Sequence, residues 1–132
     1  MAKNLLVDTG FWYALYDSTD SHHEDAKTLA DLLDQYNLVL PWPCLYETLN
    51  TKFVKKRHWL DGFFAYASHA NTVRLSDEAY RDDALRKVFK SPIPWLSLSL
   101  VDWVIRLALY DRNTKIDAMA AIPGRLTGVV WQ

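Results

Sequence analysis

Residues 5–10 read LLVDTG, three consecutive apolar residues followed by an acid, a threonine and a glycine. An apolar run without the alternation of a half-exposed strand is typical of a short strand buried on both faces, as in a parallel sheet. Asp8 ends this run, and a short helix is expected from Phe11 to Tyr16. The stretch therefore predicts a buried β-strand with a carboxylate at its carboxyl end.

The rest of the chain alternates between strand-like and helical segments. Apolar residues 38–40, stopped by Pro41, predict a second buried strand, and alternating residues 72–75 predict a third. The remaining predicted elements are helices over 21–35, 43–57, 58–70, 76–89 and 99–110, and strands over 116–121 and 128–131. This order of elements predicts an α/β fold with a mainly parallel central sheet flanked by helices.

Composition indicates a single globular domain over residues 1–132. Half of the residues are hydrophobic and six are tryptophan, which is enough to build a substantial core. The net charge of −1 gives no overall signature of nucleic-acid binding, so contact with a polyanion would need a local patch. Apolar stretches are too short for a membrane span or a signal peptide, and the single Cys44 excludes an intramolecular disulfide. We therefore expect a cytoplasmic protein without membrane segments.

Three acidic residues lie inside or directly after apolar runs: Asp8, Glu47 in LYETLN (45–50) and Asp102 in SLSLVD (97–102). Ligands of open parallel sheets bind at the carboxyl ends of the strands, and all three acids can face that edge. Carboxylates at the edge of buried structure are costly to desolvate unless something positive pairs with them. Magnesium and manganese prefer oxygen ligands. The pattern therefore favours a metal-dependent enzyme that acts on phosphates.

Each acid also has a simpler interpretation. Asp8 can merely cap the helix that follows it, and Glu47 can be solvated. Asp102 can serve the N-terminus of its own helix, where a negative charge is favourable and where Ser99 would complete a Ser-x-x-Asp capping box. The ordered set of three is harder to explain in this way than any one of its members.

The histidines and the cysteine give no support to other chemistries. His22, His23, His58 and His69 lack the spacing of a zinc site, which makes zinc an unfavoured cofactor. His23 is expected to pack or hydrogen-bond near a helix start. Cys44 has no obvious base beside it and is expected to be a buried structural residue.

At these residues the chain resembles the PIN-domain nucleases, most closely the VapC-type toxins of toxin–antitoxin pairs, over nearly its whole length. The resemblance rests on four stretches: LVDT (6–9), HEDA (23–26), PCLYE (43–47) and SLVD (99–102). It implies a three-layer sheet-and-helix fold and a Mg²⁺- or Mn²⁺-dependent endoribonuclease that cleaves RNA phosphodiester bonds. Asp8, Glu47 and Asp102 would be its catalytic and metal-binding residues, and a cognate antitoxin its partner.

The chain departs from the family pattern in two places. Gly10 occupies a position where members often carry Ser or Thr, and residues 120–126 lack the usual fourth acid. Asp117 is not expected to replace that acid, because it falls at the start of its predicted strand, at the opposite edge of the sheet. A hydrogen bond or an ion pair, for example with Lys115 or Arg112, is expected there instead.

Two alternatives to an active nuclease are considered, one from within the family and one from outside it. One is a PIN-like RNA-binding or regulatory domain with weak or no cleavage, which the missing acid favours and the three retained acids disfavour. The other is a flavodoxin-like binding or signalling domain, which would usually need a lysine at a strand end near the acids. No such lysine is found at the expected place.

A basic cluster and several aromatic residues are candidates for contacts with partners. The cluster consists of Lys52, Lys55, Lys56 and Arg57, which could contact an RNA backbone or simply form a solvated helix end. The aromatic residues near Trp12, Trp42 and Trp59 predict a homodimer, because exposed patches of such residues usually mark an interface. Together with Tyr13, these tryptophans could alternatively stack on bases or pack in the core.

Overall fold

A computed structural model describes residues 2–93 and 97–121. Its sheet has four strands, all paired in parallel, in the order β3-β2-β1-β4. The strands are β1 Lys3–Val7, β2 Tyr36–Pro41, β3 Val73–Leu75 and β4 Ala118–Ala120. The helices are α1 Thr9–Tyr16, α2 His23–Ala30, α3 Trp42–Thr48, α4 Thr51–Val54, α5 Arg57–Ala67, α6 Arg81–Lys90 and α7 Leu100–Tyr110. The predicted parallel α/β architecture is confirmed; the strand predicted over 128–131 lies outside the described residues.

The first strand lies inside the sheet and is covered on both faces. Leu5, Leu6 and Val7 are all fully buried. Successive side chains of a strand point to opposite faces, and Leu5 and Val7 accordingly join the larger hydrophobic cluster whereas Leu6 joins the smaller one. This double burial explains why the segment reads as a continuous apolar run.

The helices form a layer on each side of the sheet. Residues from α1, α2, α4 and α5 build the larger cluster, in which Trp12 meets Phe63 edge to face with ring centroids 4.8 Å apart. Ile105 of α7 belongs to the smaller cluster, and α6 packs against α7. Helix α3 contributes Leu45 to the larger cluster and Cys44 to the smaller one. It therefore lies at the edge of the sheet, where the two layers meet.

The predicted helix over 43–57 is interrupted. Helix α3 ends at Thr48, and Asn50 then caps α4, because its side chain accepts a hydrogen bond from the Phe53 backbone N–H at 3.1 Å. Asparagine is a favoured N-cap residue because it satisfies an otherwise unpaired amide at a helix start. Two further boundary differences of about five residues are the end of α2 at Ala30 rather than near 35, and the start of α6 at Arg81 rather than near 76.

The start of β4 is fixed by a reciprocal pair of hydrogen bonds. The Asp117 backbone N–H donates to the Asn4 carbonyl at 2.9 Å, and the Asn4 backbone N–H donates to Asp117 Oδ2 at 2.8 Å. These bonds lie at the amino ends of β1 and β4, which is the edge predicted for Asp117. The partner is the backbone of Asn4 rather than a basic side chain.

In the described ranges, no helix has the length and apolar character needed to cross a membrane.

Candidate metal centre

Asp8 combines a capping role with complete burial at the carboxyl end of β1. Its backbone N–H donates to the Ala120 carbonyl at 3.0 Å, which continues the pairing of β1 with β4. Its side chain accepts a hydrogen bond from the Thr9 N–H at 2.7 Å and caps α1. Asp8 is 0% exposed, and the structure confirms the capping role that its sequence position suggests.

Glu47 is brought to the same edge by the turn from β2 into α3. The helix begins at Trp42 directly after the strand, with a proline in its first turn. Thr9 Oγ1 lies 3.0 Å from Glu47 Oε1 and 3.2 Å from the Cys44 carbonyl, and its single hydroxyl hydrogen can be donated to one of them at a time. Thr9 therefore links the start of α1, next to Asp8, to the helix that carries Glu47.

A third side chain, Cys44, completes a cluster of possible metal ligands. One ligand atom each from Asp8, Cys44 and Glu47 lies within 4.8 Å of the others. The Cys44 thiol is 3.6 Å from Asp8 Oδ1, to which it donates a hydrogen bond. Cys44 precedes Glu47 by three residues, and this spacing places both on one face of α3. The expectation that Cys44 is buried is confirmed, but its apolar flanks in the sequence give no sign that its thiol contacts Asp8.

The protonation state of Cys44 argues against covalent catalysis. Burial, and secondarily the negative charge of Asp8, raise the pKa of this thiol well above its usual range. A thiol held in its neutral form is a poor nucleophile, because the thiolate is the reactive species. Only 3% of Cys44 is exposed, which further limits its access to a substrate.

Asp102 lies on the neighbouring helix α7, and one of its carboxylate oxygens is buried. Its backbone N–H donates to Ser99 Oγ at 3.1 Å, so Ser99 caps α7 as predicted. Asp102 Oδ1 is buried and has no hydrogen-bond partner in the part of the chain that the structure describes. Helix α7 packs against α3, and its Val101 lines a groove together with Glu47. Asp102 is not among the three clustered side chains, and its role as a metal ligand stays a prediction.

The predicted basic cluster is spread over a bend rather than along one helix. Lys52 lies in α4, Lys55 and Lys56 occupy the connection, and Arg57 begins α5; all four are exposed. The Lys56 ammonium lies 5.6 Å from the centre of the Trp59 ring, and Arg57 forms an exposed ion pair with Asp61 at 3.3 Å. Lys52 and Lys55 are the better candidates for contacts with RNA, because within the described residues neither forms an ion pair or a ring contact, although Lys52 acts electrostatically on Asp17.

The remaining sequence-based candidates lie mostly in the core. His23 Nδ1 is 2.8 Å from the Ala14 carbonyl, which confirms its expected hydrogen bond near a helix start. Trp12 and Trp59 are 1% and 6% exposed, whereas Trp42 is 39% exposed. The expectation that these tryptophans form an exposed patch is therefore wrong for Trp12 and Trp59, which pack in the larger hydrophobic cluster.

Comparison with solved structures identifies the fold. The VapC20 toxin of Mycobacterium tuberculosis, described as a Sarcin-Ricin loop cleaving toxin, superimposes with a TM-score of 0.67 at 20% sequence identity. The match covers 91% of this chain and 90% of VapC20. No protein-family model matches the chain, and no curated protein is significantly similar to it in sequence. The chain thus has the PIN-like α/β fold of a VapC toxin, which confirms the predicted fold class.

Proposed function

We propose that this protein is a metal-dependent endoribonuclease that acts as the toxin of a toxin–antitoxin pair in the cytoplasm. The proposal rests on one observation: Asp8 and Glu47, from separate segments of the chain, come together at the carboxyl edge of a sheet whose fold is that of VapC20. Asp102, on the helix that packs against α3, is proposed as the third carboxylate of the site.

The donor set fits a hard divalent cation. Carboxylate oxygens are the ligands that Mg²⁺ and Mn²⁺ prefer. The carboxylate of Asp8 is completely buried, and a cation would offset the cost of keeping that charge away from water. The buried Oδ1 of Asp102, which lacks a hydrogen-bond donor among the described residues, is the kind of atom that a metal ion satisfies. We propose Asp8, Glu47 and Asp102 as the residues that hold Mg²⁺ or Mn²⁺.

Several contacts prepare these carboxylates for their role. A hard divalent cation, when bound, supplies Lewis-acid polarisation of the phosphodiester and an activated water. The Thr9 amide fixes the Asp8 side chain, and the Thr9 hydroxyl fixes that of Glu47. Asn50 donates to the Glu47 carbonyl at 3.0 Å and also contacts the Tyr13 hydroxyl, so the end of α3 is tied to α1. Such pre-positioning lowers the cost of ordering the site around its substrate.

RNA is the proposed substrate, and the basic bend after α3 is proposed to contact its backbone. Lys52 and Lys55 are exposed and follow Glu47 by only five and eight residues. Neutralising phosphates with lysines gives affinity without sequence specificity. The net charge of −1 means that this contact must be local, because the protein as a whole does not attract a polyanion.

The toxin role requires an antitoxin, and we retain the prediction of a homodimer. Exposed apolar residues Trp42, Leu49 and Phe64 border a groove of about 600 Å³ between α3 and α5. An apolar groove of this kind suits a protein partner. Light scattering tests the dimer, and a monomeric mass would contradict it. Growth arrest on expression, relieved by the product of an adjacent gene, tests the antitoxin.

Cleavage of RNA in the presence and absence of metal tests the proposed chemistry. The purified chain is incubated with single-stranded and hairpin RNAs in Mg²⁺, in Mn²⁺ and in excess chelator, next to Asp8→Asn. We expect cleavage that needs metal and is lost in the variant. Wild-type cleavage that persists in chelator would overturn the proposal. RNA binding without cleavage under every metal condition would favour a PIN-like RNA-binding domain instead.

A further inference from the structure

The side chain of Cys44 extends the carboxylate site with a sulfur atom. Its Sγ lies 3.6 Å from Asp8 Oδ1. The sulfur, one carboxylate oxygen of Asp8 and one of Glu47 all lie within 4.8 Å of one another. A sulfur atom is a poor ligand for Mg²⁺, because Mg²⁺ is a hard cation that binds oxygen. Thiolate ligands instead select softer ions such as Zn²⁺. The cluster therefore offers oxygen atoms, which suit Mg²⁺, and a sulfur atom, which suits Zn²⁺.

The spacing of these atoms matches tetrahedral zinc coordination. With Zn–S of about 2.3 Å and Zn–O of about 2.0 Å, a tetrahedral angle puts the sulfur and the oxygen about 3.5 Å apart. The observed separation of Cys44 Sγ from Asp8 Oδ1 is 3.6 Å. The carboxylate of Glu47 lies at the end of a flexible side chain that is only half-buried. A movement of about 1–2 Å would bring one of its oxygens to a similar distance from the Cys44 sulfur.

We infer that Asp8, Cys44 and Glu47 form a binding site for a thiophilic divalent cation, with Zn²⁺ as the biological candidate, and that its occupation blocks the nuclease. The inference deepens the proposed function, because both metals need the carboxylates of Asp8 and Glu47 and cannot occupy them together. The Cys44 thiol releases its proton to solvent as the metal–sulfur bond forms. Zinc then acts as an inhibitor that excludes Mg²⁺ or Mn²⁺.

A cobalt titration tests the sulfur ligand without using RNA. Co²⁺ is a spectroscopic substitute for Zn²⁺, and a Co²⁺–thiolate bond gives a charge-transfer absorption that oxygen ligands do not give. Cys44 is the single cysteine of the chain, so any such band identifies it without a variant. We expect the band in the wild-type protein and its loss on addition of Zn²⁺. A wild-type titration without the band would overturn the inference.

The variant Cys44→Ser separates a ligand from a supporting residue. Binding of Zn²⁺ and of Mn²⁺ is measured by calorimetry on both proteins, with circular dichroism as the test of folding. We expect Cys44→Ser to lower the ratio of the Zn²⁺ affinity to the Mn²⁺ affinity about tenfold or more. Mutation of a residue that only supports a ligand already changes metal affinity roughly 10–100-fold, and loss of a ligand should cost at least as much. An equal loss of affinity for both ions, or no loss, would show that Cys44 does not ligate the metal and would overturn the inference.

The outcomes for this site and for the nuclease are distinguishable. A cobalt–thiolate band in a protein that cleaves no RNA with any metal would retain the zinc site and overturn the proposed function. Metal-dependent cleavage that Zn²⁺ does not inhibit, in a protein without the band, would retain the nuclease and overturn the zinc site. If the protein has both the nuclease activity and the zinc site, Zn²⁺ inhibits wild-type cleavage, and a higher Mg²⁺ concentration relieves that inhibition.

Discussion

Asp8 and Asp117 lie at opposite ends of two adjacent parallel strands and have similar local bonds. Each carboxylate accepts a backbone N–H, from Thr9 at 2.7 Å and from Asn4 at 2.8 Å respectively. Their surroundings differ completely: Asp8 is fully buried next to Cys44 and Glu47, whereas Asp117 is exposed. A carboxylate therefore becomes a candidate ligand through the edge of the sheet at which it lies, because helices that follow the strands bring further donors to the carboxyl edge.

The largest effect is expected from removing a carboxylate at the carboxyl edge. Asp8→Asn and Asp102→Asn each keep the shape of the side chain but remove its charge, and each should lower the cleavage rate by on the order of 100-fold or more. Single-turnover cleavage at saturating Mg²⁺ measures this loss, with thermal unfolding as the control for folding. If Asp8→Asn retained most of the cleavage activity, the carboxylate at the carboxyl edge would matter no more for cleavage than the one at the amino edge.

A smaller effect is expected for the hydroxyl that orients Glu47. Thr9→Val keeps the size of the residue but removes the hydrogen bond to Glu47 Oε1. We expect a loss of cleavage of about tenfold, as is typical of residues that orient a metal ligand. Serine restores the hydroxyl, so Thr9→Ser should recover most of the activity. Equal activity of the valine and serine variants would show that Glu47 needs no such support.

Lysines at the two edges should differ in their contribution to RNA affinity. Lys52→Ala, near the carboxyl edge, should reduce the slope of log affinity against log salt by about 0.7 for single-stranded RNA, the value for one lost phosphate contact. Lys3→Ala removes an exposed lysine at the amino edge and should leave the slope unchanged. Binding titrations over a range of salt concentrations measure both. Equal slopes for the two variants would argue against RNA contact at the basic bend.

The smallest effect on cleavage is expected at the amino edge. Asp117→Asn should leave the cleavage rate unchanged, because the residue hydrogen-bonds Asn4 at the end of the sheet remote from the proposed site. Its role is structural, and Asp117→Ala should lower the free energy of unfolding by about 1 kcal/mol through loss of that bond. Chemical denaturation measures the stability. A loss of activity in Asp117→Asn without a loss of stability would contradict this assignment.

Local sequence signals predicted the sheet edge and the approach of Asp8 and Glu47 to each other, but not the approach of Cys44. The run 5–7 identified the central strand because its burial on both faces leaves no polar alternation. The residues around Asn50 suit a continuous helix, and one was predicted over 43–57. Asn50 is nevertheless a favoured N-cap residue, and in the structure it begins a new helix. The approach of Cys44 to Asp8 and the exposure of Trp42 depend on how α3 packs between two layers. Periodicity along one segment does not encode that packing.

We expect a divalent metal to bind at Asp8 and not at Asp117. Binding of Mn²⁺ to the wild-type protein, Asp8→Asn and Asp117→Asn, measured by electron paramagnetic resonance, compares the same substitution at the two ends of adjacent strands. We predict that Asp117→Asn binds Mn²⁺ as the wild type does and that Asp8→Asn loses the bound ion. Retention of Mn²⁺ by Asp8→Asn, or its loss from Asp117→Asn, would show that the carboxyl edge next to Asp8 does not hold the metal.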